Sequence, residues 1–396
     1  MLIQGQIFEK KEQNSNMHKI PITRIRKLRT WKPGDSSSEL IGLDRNNNQI
    51  KLIDLASNDY LDLARHPLLI EAARQTLEAD GVGSGGSRFI TGSRNIHQKL
   101  EKKLAEWLNR DIVLLYPSGF QANLAAVLAL ADRHTHVICD RLVHHSLLIG
   151  VKASGAKLLR YKHNNLSELE TLLQKTKKRN PQKKPLVITE SLFSMEGTTA
   201  PLKKISELCI KYGSKLLVDE AHAFGIMGSQ GRGESFELEK NVSIISGTFG
   251  KAFGSGGAFL ATDQKTGEDL IQNCGAFRYT TALAPPLCAS ALAALNLINR
   301  NPQWGEELQN ESIILRDKLS QIGWQRPLGR SPIISIVLGS DKLAIDYQKK
   351  LEDQGLLTVA IRPPTVPEGK SRLRIVIRRN TPVQAFETLL KVLKNK

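Results

Sequence analysis

Long hydrophobic runs are missing from this 396-residue chain. Stretches such as residues 124–131 fall far short of the roughly 20 apolar residues that cross a bilayer, so neither a helical span nor a membrane partner is expected. Cysteine is scarce. Cys139, Cys209, Cys274 and Cys288 are scattered, with neither metal-ligand spacing nor the density of a disulfide scaffold, so no metal site and a reducing, cytoplasmic setting are expected. Residues 1–20 lack an apolar core followed by small residues and carry Glu9 and Glu12 among their lysines. They match neither a secretory signal nor a transit peptide and read as a poorly ordered extension. Acidic residues are also short, 39 against 56 Lys and Arg, for a formal charge of +17. Such a surplus would attract nucleic acid, a membrane surface or an acidic protein, but charge alone does not choose among them. Much of it falls on helical faces such as Lys175, Lys177, Lys178 and Arg179, where solvation accounts for it.

What is present is a regular alternation. Between about residues 110 and 265, short β-rich runs separate longer stretches of helical period, which predicts an α/β domain with a largely parallel sheet. The predicted strands are 112–116, 136–140, 157–161, 186–190, 215–219, 242–246 and 257–261, with helices at 121–131, 166–173 and 202–212. From about Pro285 the pattern changes to long helices, a strand at 333–338, a helix at 343–354, and strands at 356–361 and 372–377. That order reads as a smaller α+β lobe, closed by a helix over 383–393 that Thr381 and Pro382 would introduce. The expected organisation is an arm at 1–50, a large domain at 51–284 and a small domain at 285–396.

Open α/β sheets bind ligands beyond the carboxyl ends of their strands. There the sequence places Ser118, Gly119 and Phe120, then His144, Ser194, Asp219 with His222, and Thr248 with Lys251. Asp219 closes the apolar run 216–218, and a buried carboxylate needs a cationic partner. The protonated ring of pyridoxal phosphate is such a partner, and the carboxylate keeps that ring an electron sink. Lys251, in the glycine-rich run 246–251, supplies an amine able to form a Schiff base and then to act as a general base once its pKa is lowered. The turn at 116–123 would offer free N–H groups and a helix dipole to a phosphate. Singly, Asp219 reads as a strand-end cap, His144 and His222 as ordinary histidines, and Lys251 as a solvated lysine. Their order along successive strand ends overturns that. Asp219-Glu220-Ala221-His222 also spells an acidic motif of helicases, but no phosphate loop of the form G-x-x-x-x-G-K-[ST] accompanies it, and no nucleic-acid partner is expected.

These residues resemble the α-oxoamine synthases, a family with the aspartate-aminotransferase-like fold (fold type I) of pyridoxal-phosphate enzymes. The resemblance runs from Ser57-Asn58-Asp59-Tyr60-Leu61 through Gly83-Ser84-Gly85-Gly86-Ser87-Arg88 and the run 189–195 to Arg374. It implies a central, mostly parallel sheet, a smaller C-terminal α+β domain, and an enzyme that condenses an amino acid with an acyl thioester and releases carbon dioxide. Carried over, Lys251 would hold the cofactor, Asp219 would pair with the ring nitrogen, His222 would contact the ring hydroxyl and His144 would stack on the ring. Gly119, Phe120 and Thr248 would lie near the phosphate and Ser194 near the ring. Arg374 would bind the amino-acid carboxylate, and Asn58 and Thr365 would line the substrate site. The resemblance further implies a homodimer in which Thr281 reaches the partner's phosphate. The runs 360–367 and 371–374 are similar to the family's biotin-pathway members, which implies L-alanine and a pimeloyl thioester, carried on coenzyme A or an acyl carrier protein, as substrates. Sister members that use glycine and another thioester share the cofactor motifs. Three departures stand out: Asp62 where the family often has glycine, Ala223-Phe224 where it has smaller residues, and Ala284 in place of a proline. Arg24, Arg26 and Arg29 are unranked candidates for an N-terminal substrate arginine.

Overall fold

The computed structural model describes residues 20–44, 47–179 and 181–394. The expectation of a loose extension over residues 1–19 lies outside them. The chain begins with β1 (Lys32–Pro33), β2 (Glu39–Leu43) and β3 (Gln49–Asp54), followed by α1 (Pro67–Asp80) and α2 (Asn95–Leu108). The alternating region holds β4 (Ile112–Tyr116), α3 (Gly119–Leu130), β5 (His136–Asp140), α4 (His145–Ser154), β6 (Lys157–Tyr161) and α5 (Leu166–Arg179). It continues with β7 (Leu186–Glu190), α6 (Leu202–Tyr212), β8 (Lys215–Asp219), β9 (Ile244–Thr248) and β10 (Ala258–Thr262). Then come α7 (Gln264–Asn273), α8 (Gly275–Arg278), α9 (Pro285–Arg300), α10 (Trp304–Gln321), β11 (Ile333–Gly339) and α11 (Asp341–Glu352). Last are β12 (Leu356–Leu357), β13 (Val359–Ile361), β14 (Ser371–Val376) and α12 (Val383–Lys394).

Seven strands form the main sheet in the order β4-β10-β9-β8-β7-β5-β6. Its β5–β9 ladders are parallel, and β10 alone runs against its neighbours β4 and β9. Every residue of β7 and β10 is buried, as a sheet covered by helices on both faces requires. The apolar helix α3 buries Ala122, Ala125, Ala126, Val127 and Leu130, so the longest apolar run is core rather than membrane. No helix among the described residues is long and apolar enough to cross a bilayer. All four cysteines are buried free thiols.

Where sequence and structure differ, tertiary partners explain the difference. The strand expected at 242–246 lies at Ile244–Thr248, because β10 pairs with it through Gly247 and Thr248. Gly247, in the glycine-rich run before Lys251, leaves room for aromatic rings: a Cβ there would stand 2.5 Å from Phe224 and Phe259. The bulky Phe224 therefore fills the space that the glycine leaves. The single strand expected over 356–361 is two, since β12 pairs parallel with β3 while β13 pairs antiparallel with β14. Thr381 does not cap α12; its hydroxyl accepts the N–H of Arg378. Ala284 precedes Pro285, which opens α9 in the first-turn position, so the missing proline is supplied one residue later.

A buried arginine ties the ends of the chain together. Arg378 binds Asp54 at 2.9 Å, Asp59 at 3.5 Å and, most closely, Asp62. Asp62 stands at φ 59°, the left-handed conformation glycine adopts freely, and its carboxylate also accepts from Ser37 and Asn380. Asp54 accepts the N–H groups of Ala56 and Ser57, and Asp59 those of Leu63 and Ala64. The segment bearing Asn58 and Tyr60 is thus held at both ends. Arg378→Leu would leave three enclosed carboxyls without their cation, and chemical denaturation should show a loss of about 3–5 kcal/mol.

Candidate active site

The carboxyl ends of β4, β5, β7, β8 and β9 meet at one edge of the main sheet. Asp219 ends β8 with its side chain buried. Asn123 Nδ2 donates to one of its oxygens at 2.7 Å and the Ala221 N–H to the other at 2.9 Å. The same Nδ2 donates to Ser146 Oγ at 2.9 Å, and that hydroxyl lies 2.7 Å from His144 Nδ1. A polar chain from β8 through α3 therefore orients the imidazole that precedes α4. His144 is exposed at the cleft. Partial enclosure, with Lys251 and His145 nearby, lowers its pKa, and Asp219 opposes the shift.

His222, three residues beyond Asp219, is buried with Nδ1 2.6 Å from the Tyr60 hydroxyl. Burial raises the Tyr60 pKa, so the phenol keeps its proton and donates it. Burial, then Lys251, Arg374 and His144, hold the His222 pKa well below its ordinary value, leaving a neutral ring with Nδ1 as acceptor. Its remaining proton is then on Nε2. Lys251, beyond β9, has its pKa lowered to about 8 by burial and by Arg374, against the attraction of Asp219.

Arg374 is buried on β14. Its Nη2 donates to Asn58 Oδ1 at 2.9 Å and its Nε to the Ser194 carbonyl at 2.8 Å. Among the described residues no carboxylate pairs with it, which leaves its charge for a ligand. Ser194 enters these contacts through its backbone rather than its hydroxyl. Of the three N-terminal arginines, Arg24 is held by Asp341 and Glu368, and Arg29 by Glu352. Arg26 instead donates to Thr365 Oγ1 at 2.8 Å.

At the start of α3, Ser118 Oγ accepts the Gln121 N–H, while the N–H groups of Gly119 and Phe120 take no protein acceptor among the described residues. Gly119 adjoins Thr248, whose hydroxyl donates to the Gly257 carbonyl and accepts the Gly250 N–H. An aromatic ring bearing a basic nitrogen, a hydroxyl, a phosphate and an aldehyde fits this donor set: anion at Asp219, imidazole at His222, free N–H groups at α3 and amine at Lys251. Thr281 is exposed in a bridge with Ser87 and has no hydrogen bond to this cluster. Sequence reading assigned no role to Asn123, Ser146 or Tyr60. Asn123 lay inside the quoted turn, one helical turn beyond Gly119, and that spacing was its one local signal.

The chain belongs to the aminotransferase class I and II family, whose model matches residues 50–393. The 8-amino-7-oxononanoate synthase of Saccharophagus degradans is 40% identical over 348 residues, 87% of this chain and 86% of that protein. A serine palmitoyltransferase from S. paucimobilis, solved with a bound PLP–myriocin aldimine, superposes with a TM-score of 0.85 at 27% identity, covering 93% of this chain and 91% of that one. An 8-amino-7-oxononanoate synthase from Francisella tularensis superposes with a TM-score of 0.76 at 30% identity, covering 87% and 97%. The fold is the α/β fold of the fold type I enzymes, with its mostly parallel central sheet.

The lowered pKa has a direct readout in cofactor-free protein. Only the unprotonated amine reacts with an acylating reagent, so modification of Lys251 should rise with pH to half its maximum near about 8. A midpoint at the ordinary lysine value would refute the enclosure.

Proposed function

We propose that this chain catalyses the 8-amino-7-oxononanoate synthase reaction of biotin biosynthesis, joining L-alanine to a pimeloyl thioester with release of carbon dioxide and thiol. The observation that carries this reading is the 40% identity to a curated synthase sustained over 87% of the chain. Pyridoxal phosphate is the cofactor, and when bound it withdraws electrons from the amino acid's α-carbon. Asp219, fixed by Asn123 and Ala221, keeps the proton on the ring nitrogen. His222 offers Nε2–H to the ring hydroxyl, and the α3 N-terminus with Thr248 holds the phosphate. Arg374 binds the alanine carboxylate beside Asn58. Lys251 would hold the cofactor through its amine, and its Nζ, once unprotonated and free, would remove the α-proton. The α-carbon then bonds to the acyl carbon, the C–S bond breaks, and the thiol leaves. His144 supports the charge on the acyl oxygen while the carboxyl carbon departs as carbon dioxide, and a proton returns to the α-carbon.

In this reading residues 51–284 carry the cofactor, 285–396 bring Thr365 and Arg374, and 1–50 form the arm. Arg26, beside Thr365, is the substrate arginine of that arm. The protein is a homodimer, and Val82, Phe89, Ile90 and Tyr279, all exposed near the Ser87–Thr281 bridge, lie on the shared face. Light scattering should give twice the chain mass. An acidic acyl carrier protein suits the +17 charge, and its apparent affinity should then weaken as salt rises.

The closer superposition on the serine palmitoyltransferase favours a second reading, a sister synthase that uses another amino acid, serine or glycine, and another thioester. One assay separates the two: thiol release with alanine, serine or glycine against pimeloyl, palmitoyl, acetyl and succinyl thioesters. Alanine with pimeloyl should be the best pair, and glycine with a shorter donor would replace the product while keeping the chemistry. Lys251→Ala should lose the cofactor's visible absorbance and about 100-fold to 10,000-fold in turnover. Arg374→Ala should raise the alanine KM by about 10-fold to 100-fold, the worth of a charge-assisted hydrogen bond. Full activity in Lys251→Ala would refute the mechanism.

A further inference from the structure

One enclosed carboxyl of this site takes no part in the chemistry above. Glu190 ends β7 and stands level with Asp219 in the parallel register of β7 and β8. It is 3% exposed. The backbone N–H of His144 reaches its carboxyl, while Oε1 has no partner among the described residues. Asp219 is better supplied, with Asn123 on one oxygen and Ala221 on the other. The titratable and charged groups that face Glu190 are Asp219 on β8, Lys251 beyond β9, Glu196 beyond β7 and Tyr60 beyond β3.

Two carboxylates enclosed side by side do not both ionise, because repulsion adds to the cost of desolvation, and the proton stays on the group with fewer donors. We infer that Glu190 is a positioning residue that keeps its carboxyl protonated through turnover, so that the negative charge of this carboxyl pair rests on Asp219 alone. Burial, then Asp219, push its pKa well above the carboxylate range. The consequence falls on two partners. Asp219 faces the ring nitrogen as an undivided anion, and Lys251 meets one neighbouring negative charge instead of two. Since either anion would raise the proton affinity of Lys251, a neutral Glu190 leaves the amine freer to act as a base. This inference rests on reading Asp219 and Lys251 as the cofactor-bearing pair and is independent of which thioester is used.

Infrared difference spectroscopy of the full chain near neutral pH tests it, first without cofactor and then loaded with pyridoxal phosphate. A protonated-carboxyl stretch that shifts on carbon-13 labelling of glutamate is expected. Glu220 is a second enclosed acid, its pKa pushed up to about 7 by burial, so the experiment is run in Glu220→Gln as well. The band should persist in Glu220→Gln and vanish in Glu190→Gln. Its absence from Glu220→Gln would overturn the inference even if Glu190→Gln failed to fold. In loaded protein, the pH midpoint of the cofactor's visible absorbance should move by less than about 0.3 unit in Glu190→Gln, whereas a fall of about one unit or more would show that Glu190 carried charge. Failure of both proteins to bind the cofactor would reject the site reading, with the cofactor-free band still deciding the state of Glu190.

Discussion

Arg378 is the contact around which this site is assembled. It follows β14, which carries Arg374, and it grips Asp54, Asp59 and Asp62 from the segment that carries Asn58 and Tyr60. An arginine enclosed with three carboxyls keeps its place only where all partners are present, so the bond fixes geometry more surely than it adds stability. From it follow the Asn58–Arg374 contact and the reach of Tyr60 to His222. Arg374 and His222, at opposite ends of these contacts, are thereby referred to one anchor.

Within the cleft, the protein separates charges by enclosure and by donor count. Asp219 accepts from two donors at a strand end, Asn123 on one oxygen and Ala221 on the other. His222 is neutral because it is enclosed, with Lys251 and Arg374 adding to the effect, and its tautomer follows from the Tyr60 hydroxyl. Burial and Arg374 lower the Lys251 pKa to about 8, so that a share of the amine is unprotonated near neutral pH. Each state depends on neighbours from other elements, so one substitution would disturb several.

Much of this was legible in order along the chain. Five strands of the main sheet, including those ending at Asp140, Glu190 and Asp219, match their predicted bounds, because each is a short β-rich run bounded by turn or polar residues. Asp219, His222 and Lys251 were therefore locatable as strand-end residues. Asn123 and Ser146 were not, since an amide and a hydroxyl on helices read as ordinary polar positions until the helices are packed side by side. The packing of Gly247 was illegible for a similar reason: its neighbours Phe224 and Phe259 come from other parts of the chain.

The sequence by itself determined the alternating architecture, the strand-end placement of the reactive groups and the family, because these depend on local periodicity and on residue types at short spacing. Only the tertiary structure decided the partners: which strand β12 joins, which of the three N-terminal arginines meets Thr365, which amide holds Asp219, and which of two adjacent carboxyls has the more hydrogen-bond donors. Hydrogen bonds and ion pairs join residues as much as 344 positions apart, and no local pattern encodes a contact whose two halves meet only when the chain has folded.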